Sequence, residues 1–280
     1  MNTTIHYKNA SSPQEVSGMN TKELRDNFIA DNLFEAEKIN WHYTFYDRFM
    51  AGGAMPVDTA MPLMNPPSLK ANFFLERREL ATINIGGAGS ITVDGEIFEL
   101  QNKEALYIGK GSKEVIFKSD SKLNPAKFYL NAAVAHHTYP TKKVKENAAA
   151  KVSIGTAANC NQRTITKYIV APAVQTCQVQ MGLTQIHTGS VWNTMPPHTH
   201  HRRMEVYFYF DMLEAQSVCH FMGEPQHTRN VWLGNEQAII SPPWSVHFGV
   251  GTASYSFIWG MAGENLDYDD MEPCAINQLQ

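Results

Sequence analysis

Two histidines stand two apart, His198 and His200, in the run NTMPPHTHHRRMEVYFYF that spans residues 193–210. Successive side chains of an extended strand point to opposite faces, so this spacing sets both imidazoles on one side. Glu205 follows five residues later and needs a turn or bulge at His201-Arg202-Arg203 to bring its carboxylate back to that side. A further histidine, His247, ends the run PPWSVH, whose prolines suit a strand edge or a turn. Three imidazoles and one carboxylate are a ligand set for one divalent ion, Zn²⁺, Fe²⁺, Mn²⁺ or Ni²⁺. With no thiolate among the ligands, the site is not of the closed structural-zinc kind and reads as catalytic.

Strand parity extends the site. If the strand after the histidine pair is regular, Arg203, Tyr207 and Tyr209 share the face of Glu205, and Met204, Val206, Phe208 and Phe210 face the other way. Taken singly, His6, His42, His136, His137, His187, His220 and His227 read as satisfied polar residues. Trp244, Tyr255, Phe257 and Trp259 read as core before they read as a sugar platform.

These residues need a scaffold, and the scaffold reads as mainly β. The segments 79–100, 104–119 and 126–140 form a strand series with a tight hairpin at Asp94-Gly95. RTITKYIV, TCQVQMGLTQI, MEVYFYFD, QAIISPPW and SYSFIWGM form a second series. Many short strands punctuated by Gly and Pro predict antiparallel sandwiches or barrels. One helical stretch stands out over 20–38, with Asn20 as N-cap, Glu23 three residues on, and Leu24, Phe28, Leu33 and Phe34 as its apolar stripe. The charged, Ala-rich segment 142–151 reads as a linker, dividing the chain into 1–148 and 149–280. An internal repeat supports that division: Asn102 to Glu114 runs parallel to Asn235 to His247, and Arg77-Arg78-Glu79 mirrors Arg202-Arg203-Met204-Glu205.

Composition bounds the partners. In 280 residues the hydrophobic share is 43% and the charged share 18%, enough for a sizeable core and too little charge for a disordered chain. A net charge of −4 gives no electrostatic footprint for nucleic acid. No apolar run is long enough to span a membrane, and the first residues lack the apolar core of a signal peptide. Four scattered cysteines, Cys160, Cys177, Cys219 and Cys274, include no CxxC pair and suit reduced thiols. A cytoplasmic protein is expected.

The pattern His198-x-His200-x(4)-Glu205, followed by Pro242-x(4)-His247, resembles the two-part cupin motif, in which all four side chains enter a small β-barrel. Trp244 stands where that motif usually has Gly. The N-terminal repeat keeps the glycine, Gly111, but has Glu114 in the histidine place and no His-x-His, so it resembles a degenerate cupin without metal. The runs FFLERRELATINIGG, RTITKYIV, QVQMGLT, VWNTMPPHTHHRRMEVYFYF, NEQAIISPPWSVHFGVGT and FIWGMAGEN resemble the 5-keto-4-deoxyuronate isomerase (4-deoxy-L-threo-5-hexosulose-uronate ketol-isomerase) family across residues 20–273. His201 stands where that family often carries an acid.

The resemblance implies a bicupin of two antiparallel barrels with a short N-terminal helical segment. It implies one Zn²⁺ per chain, with Fe²⁺ or Mn²⁺ also compatible with the ligands, and a hexamer working in pectin and unsaturated-uronate breakdown. The implied reaction is an aldose–ketose isomerisation of 5-dehydro-4-deoxy-D-glucuronate to 3-deoxy-D-glycero-2,5-hexodiulosonate. For that substrate Arg203 is a candidate clamp of the C6 carboxylate, with Arg163 and Lys167 as rivals, because a guanidinium or ammonium pairs with carboxylate. Tyr207 and Thr194 are further candidate contacts to substrate. Glu205, or less readily His201, is the candidate base. An Fe²⁺ cupin dioxygenase or a non-catalytic sugar-binding cupin would share the same ligands.

Overall fold

The computed structural model describes residues 3–280, which fall into two compact units. The first holds Asn32–Ala149 and Tyr168–Gln180 together with the N-terminal strand as far as Tyr7. The second holds Lys8–Asp31, Ala150–Lys167 and Met181–Gln280. The expected boundary at 148/149 differs from these units in two segments, Lys8–Asp31, which falls in the second unit, and Tyr168–Gln180, which falls in the first. The two helices of Lys8–Asp31, Pro13–Gly18 and Thr21–Phe28, pack on strands Val218–Glu224, His227–Leu233 and Gln237–Ser241 of the second unit. Arg229 fixes the first helix there by donating to the carbonyls of Val16, Ser17 and Met19 at its C-terminus.

Asn20 caps the second helix and Glu23 closes the capping box, as expected, but the helix ends at Phe28 and not at Lys38. Leu24 and Phe28 are its buried residues. Ile29 then turns extended, and Ile29–Ala30 pairs with Ala238 and Ile239 as an edge strand. The expected linker is also more regular than its composition suggests. Lys142–Val144 and Ala150–Ile154 are both strands, the first supplying an edge to the first unit and the second an edge to the other.

Each unit is built on a seven-stranded and a four-stranded sheet, and the second unit carries a further two-stranded one. In the first unit the large sheet runs Thr3–Lys8, Ile39–Thr44, Met50–Ala54, Phe128–Val134, Arg78–Asn84, Ala105–Ile108, Lys142–Val144. In the second it runs Ala150–Ile154, Arg163–Ile169, Gln180–Ile186, Ser256–Gly263, Arg203–Phe210, Gln237–Ser241, Ile29–Ala30. The small sheets repeat the same order: Met61–Pro62, Val115–Ser119, Gly89–Val93, Glu96–Leu100 in one, and Trp192–Asn193, Phe248–Gly251, Val218–Glu224, His227–Leu233 in the other. The duplication hinted at by two short sequence matches thus extends to the strand order of both sheets. Neither pair of sheets shares a hydrogen-bonded strand, so the expected closed barrels are open, two-sheet structures among the described residues. Loops such as 109–114 carry the chain from one sheet to the other and leave the corners unpaired.

Register explains why, among the described residues, only the second unit gathers a candidate ligand set. In the first unit Leu80 pairs with Ile108; in the second Glu205 pairs with Ser241, the repeat counterpart of Ile108. Leu80, and not Glu79, therefore occupies the place of Glu205. It lies in an apolar cluster with Ile91, Leu106, Ile108, Phe117 and Phe128 that fills the space between the two sheets. Glu79, one residue earlier, faces the other side of the strand. There its carboxylate is fully buried and accepts from the backbone N–H of Cys177 (2.8 Å), Gln178 (2.7 Å) and Val179 (2.8 Å) and from the Tyr107 hydroxyl (2.8 Å). This carboxylate is a clasp for the chain segment and not a vestigial ligand.

Candidate metal centre

Strand Arg203–Phe210 runs between Ser256–Gly263 and Gln237–Ser241, so Glu205 is held in mid-sheet. His198 lies on a short strand, His198–Thr199, that pairs with Glu272–Pro273. His200 closes the turn before Arg203, and His247 ends the segment after Ser241 that leads into Phe248–Gly251. The turn at His201-Arg202 is the device that the five-residue spacing required.

The four ligand atoms lie within 4.8 Å of one another. Glu205 Oε2 is 2.9 Å from His247 Nε2 and 3.1 Å from His200 Nε2, and His247 Nε2 is 3.1 Å from His198 Nε2. Two main-chain carbonyls orient the rings. His247 Nδ1 faces the carbonyl of Ser245 at 3.2 Å and His200 Nδ1 that of Arg203 at 3.3 Å. An N–H donated to each carbonyl fixes the proton on Nδ1 and leaves the Nε2 lone pair turned inward. The Nε2 atoms of His247 and His198 then face each other and a carboxylate oxygen, an arrangement that suits a cation among them. Donors held about 2.1 Å from one ion at right angles stand about 3 Å apart, so the measured separations suit a single small divalent ion.

The protonation states agree with ligand duty. Burial pushes His198 down to about 2, with His247 adding to the effect. Burial lowers His200 as well, against the pull of Glu205. For Glu205 burial opposes ionisation, but His247 and His200 outweigh it and hold the carboxyl below the usual carboxylate range. His198 and His200 are thus shifted toward the neutral imidazole and Glu205 toward the carboxylate, the forms that bind metal.

A cavity of about 390 Å³ opens on His198, His200 and Glu205. Its lining includes Arg163, Lys167, Arg203, Thr194 and Tyr207, every residue proposed for substrate contact. Their surroundings differ. Arg203 is 1% exposed and its two Nη atoms donate to the carbonyls of Asp267 (2.6 Å), Tyr268 (3.0 Å) and Asp270 (3.1 Å), which pins the loop 267–270, while its buried Nε has no partner among the described residues. Arg163, 6% exposed, donates to the carbonyls of Asn161 (2.9 Å) and Met195 (3.3 Å). The Lys167 ammonium lies over the face of Tyr268, 3.7 Å from its centroid, and has no acidic partner among the described residues. The Thr194 and Tyr207 hydroxyls are hydrogen-bonded at 2.8 Å. His201 turns away: its side chain is 69% exposed, it pairs with Glu272, and it does not line the cavity.

The strand-parity reading holds along Arg203–Phe210. Tyr207 and Tyr209 follow Glu205 on one face, and Phe208 stacks on Phe210 on the other. Residues that the sequence does not single out complete the site. Asp269 and Tyr268 line the cavity from a loop whose acidic run, LDYDD, looks in sequence like a solvated turn. Phe257 and Trp259, read as core, form part of its wall. Beneath lies a buried polar cluster: His220 Nδ1 meets the Tyr209 hydroxyl at 2.8 Å, and Asn193 donates to Tyr255 at 2.7 Å. Burial pushes His220 down to about 3, so it stays neutral. No spacing in the sequence ties His220 to Tyr209.

The antiparallel two-sheet units and this ligand set define a cupin with a candidate metal centre. The family model described as "KduI/IolB family" matches residues 33–274. The chain belongs to that family. It is 55% identical over 280 residues, all of both chains, to the 4-deoxy-L-threo-5-hexosulose-uronate ketol-isomerase of Formosa agariphila. It is 51% identical over 264 residues to the protein of the same name in Escherichia coli, covering 94% of this chain and 95% of the relative. Among solved structures, an IolB-like protein from Salmonella typhimurium shares the fold at a TM-score of 0.65 and 11% identity, over 81% of this chain and 86% of the other.

Proposed function

We propose that this chain is a ketol-isomerase converting 5-dehydro-4-deoxy-D-glucuronate to 3-deoxy-D-glycero-2,5-hexodiulosonate, with one Zn²⁺ held by His198, His200, Glu205 and His247. The observation that carries the reading is a cavity lined both by three of the four convergent ligand residues and by an ammonium with no acidic partner among the described residues. An acidic sugar with a reacting carbonyl at the end opposite its carboxylate matches that pair of features. The full-length relatives named ketol-isomerases support the same reaction.

The isomerisation moves one proton from C2 to C1 and one from the C2 oxygen to the C1 oxygen, with no external oxidant or reductant. It needs charge stabilisation at two adjacent oxygens, a base beside C1 and C2, and a hold on the far carboxylate. When bound, a divalent ion supplies Lewis acidity at the adjacent oxygens. Glu205 Oε2 is shared between two histidines, which suits a ligand better than a travelling base. We assign the base to Asp269, which lines the cavity and whose carboxylate has no partner among the described residues. Arg203 holds Asp269 in place by pinning the carbonyls on either side of it. Lys167 takes the substrate carboxylate, since both arginines are engaged by main-chain carbonyls. The hydroxyls of Thr194 and Tyr207 contact the substrate's own hydroxyls. His201, exposed and paired, takes no part.

In this reading the first unit is a cupin whose ligand positions have become apolar core, and the protein works as a cytoplasmic hexamer in pectin-derived uronate breakdown. The experiment that tests the reading incubates purified protein with the unsaturated-uronate lyase product and follows the C1 aldehyde by NMR. Loss of the aldehyde with appearance of a C1 hydroxymethyl group is expected. Oxygen consumption with an iron-loaded protein and an intact aldehyde would favour a dioxygenase instead.

A further inference from the structure

The first unit contains a concavity of about 600 Å³ that plays no part in the chemistry above. Four cationic side chains line it, Arg48, Lys70, Arg77 and Arg78, and none of its lining residues is acidic. The adjoining acids in sequence, Asp47 and Glu76, stay outside the lining, and the Glu76 carboxylate is taken by the backbone and side-chain amides of Asn72. Like charges gathered in a chain of net charge −4 repel one another at a cost unless an anion joins them.

The cations are organised in two tiers. Arg78, buried, donates to the carbonyl of Arg48 at 2.8 Å, and Arg77 donates to the carbonyls of Leu69 (2.9 Å) and Lys70. The two arginines at the strand start therefore hold the two loops that carry the outer cations. Arg48 and Lys70 both adopt left-handed backbone, φ 52° and φ 50°. Each sits at a chain reversal, Arg48 after Asp47 in the turn between Ile39–Thr44 and Met50–Ala54, and Lys70 at the C-cap of the short 3-10 helix Pro67–Leu69.

The remaining wall is aromatic. Tyr7, Tyr43 and Phe45 contact one another with ring centroids 5.3–6.4 Å apart, and the Arg78 guanidinium lies 5.3 Å from the Tyr43 ring centre. Phe45 and Tyr7 are about half exposed, a large apolar surface to leave beside four cations. A bare anion would leave those rings wet; a flat ring joined to an anion would cover them.

We propose that this concavity binds a phosphorylated molecule bearing a flat ring, a nucleotide-like anion, with Arg48, Lys70, Arg77 and Arg78 on the phosphates and Tyr7 and Phe45 against the ring. The test is calorimetric titration of the full-length protein with ATP, with pyrophosphate as the ringless probe and trigalacturonate as the carboxylate probe. ATP is expected to saturate a single site at least tenfold more tightly than either of the others. Arg48→Asn and Lys70→Asn remove charge at exposed positions while keeping a residue that tolerates left-handed backbone. Each is expected to weaken ATP at least tenfold with the melting temperature unchanged. Phe45→Ala should weaken ATP and leave pyrophosphate as it was. Failure of ATP to bind saturably at millimolar concentration would overturn the proposal, as would equal affinity for ATP and pyrophosphate or unchanged affinity in both Asn variants. Absence of binding, together with a changed assembly mass in those variants, would assign the concavity to contact between copies of the chain and would equally overturn it.

Discussion

Glu205 is the one anionic member of the ligand set, and its loss has two consequences of different size. Glu205→Gln keeps the shape of the side chain but leaves three neutral imidazoles around a cation. The bound metal should fall from one per chain to a small fraction, and turnover should drop by about a hundredfold or more. Elemental analysis after gel filtration reads the first and the aldehyde assay the second. The roles given to the cavity's other charged groups separate cleanly in kinetics. Lys167→Ala removes a binding contact made in ground and transition states alike, so KM should rise about tenfold while kcat changes little. Asp269→Asn removes a proton acceptor, so kcat should fall about a hundredfold with KM and metal content near those of the wild type. If Lys167→Ala lowers kcat alone, or Asp269→Asn is silent, those two assignments exchange or fail.

At the scale of elements, the clasp around Glu79 shows how little a residue's type says about its duty. In sequence Glu79 mirrors Glu205; in the fold it is one residue out of register and on the opposite face of its strand. Three main-chain N–H groups and a tyrosine hydroxyl depend on its charge. Glu79→Gln should therefore destabilise the first unit by about 2–4 kcal/mol, read as a shift in the denaturant midpoint, while leaving metal content untouched. The same kind of element shows where sequence reading succeeds. The strand Arg203–Phe210 is legible because its alternation is regular and its turn is announced by His201-Arg202, and parity alone places Arg203, Glu205 and Tyr207 toward the cavity. The helix after Asn20 is legible at its start, where the capping box is a local contact, and not at its end. What stops it is the pairing of Ile29 and Ala30 with a strand more than two hundred residues away.

At the scale of the whole molecule, the duplication is visible in two short sequence matches, yet its extent, the common strand order of both sheets in each unit, emerges only from pairing. The four ligands are legible because three imidazoles and a carboxylate at strand spacing converge on few duties besides holding a metal ion. Asp269, Tyr268 and His220 are not, because each reaches the site through a loop or a non-local strand and none repeats a period. Arg203 falls in the cavity that parity assigns it but has a different task there, since nothing in its own segment reveals the three carbonyls that occupy it.

Whether these four ligands make a metal-dependent ketol-isomerase is tested most directly by adding Zn²⁺ back to chelator-stripped protein while NMR follows the C1 aldehyde of the keto-uronate. The rate of aldehyde loss should rise in step with added ion and level off at one ion per chain. Undiminished isomerisation by the stripped protein, or an aldehyde that persists with one ion per chain bound, would contradict that assignment.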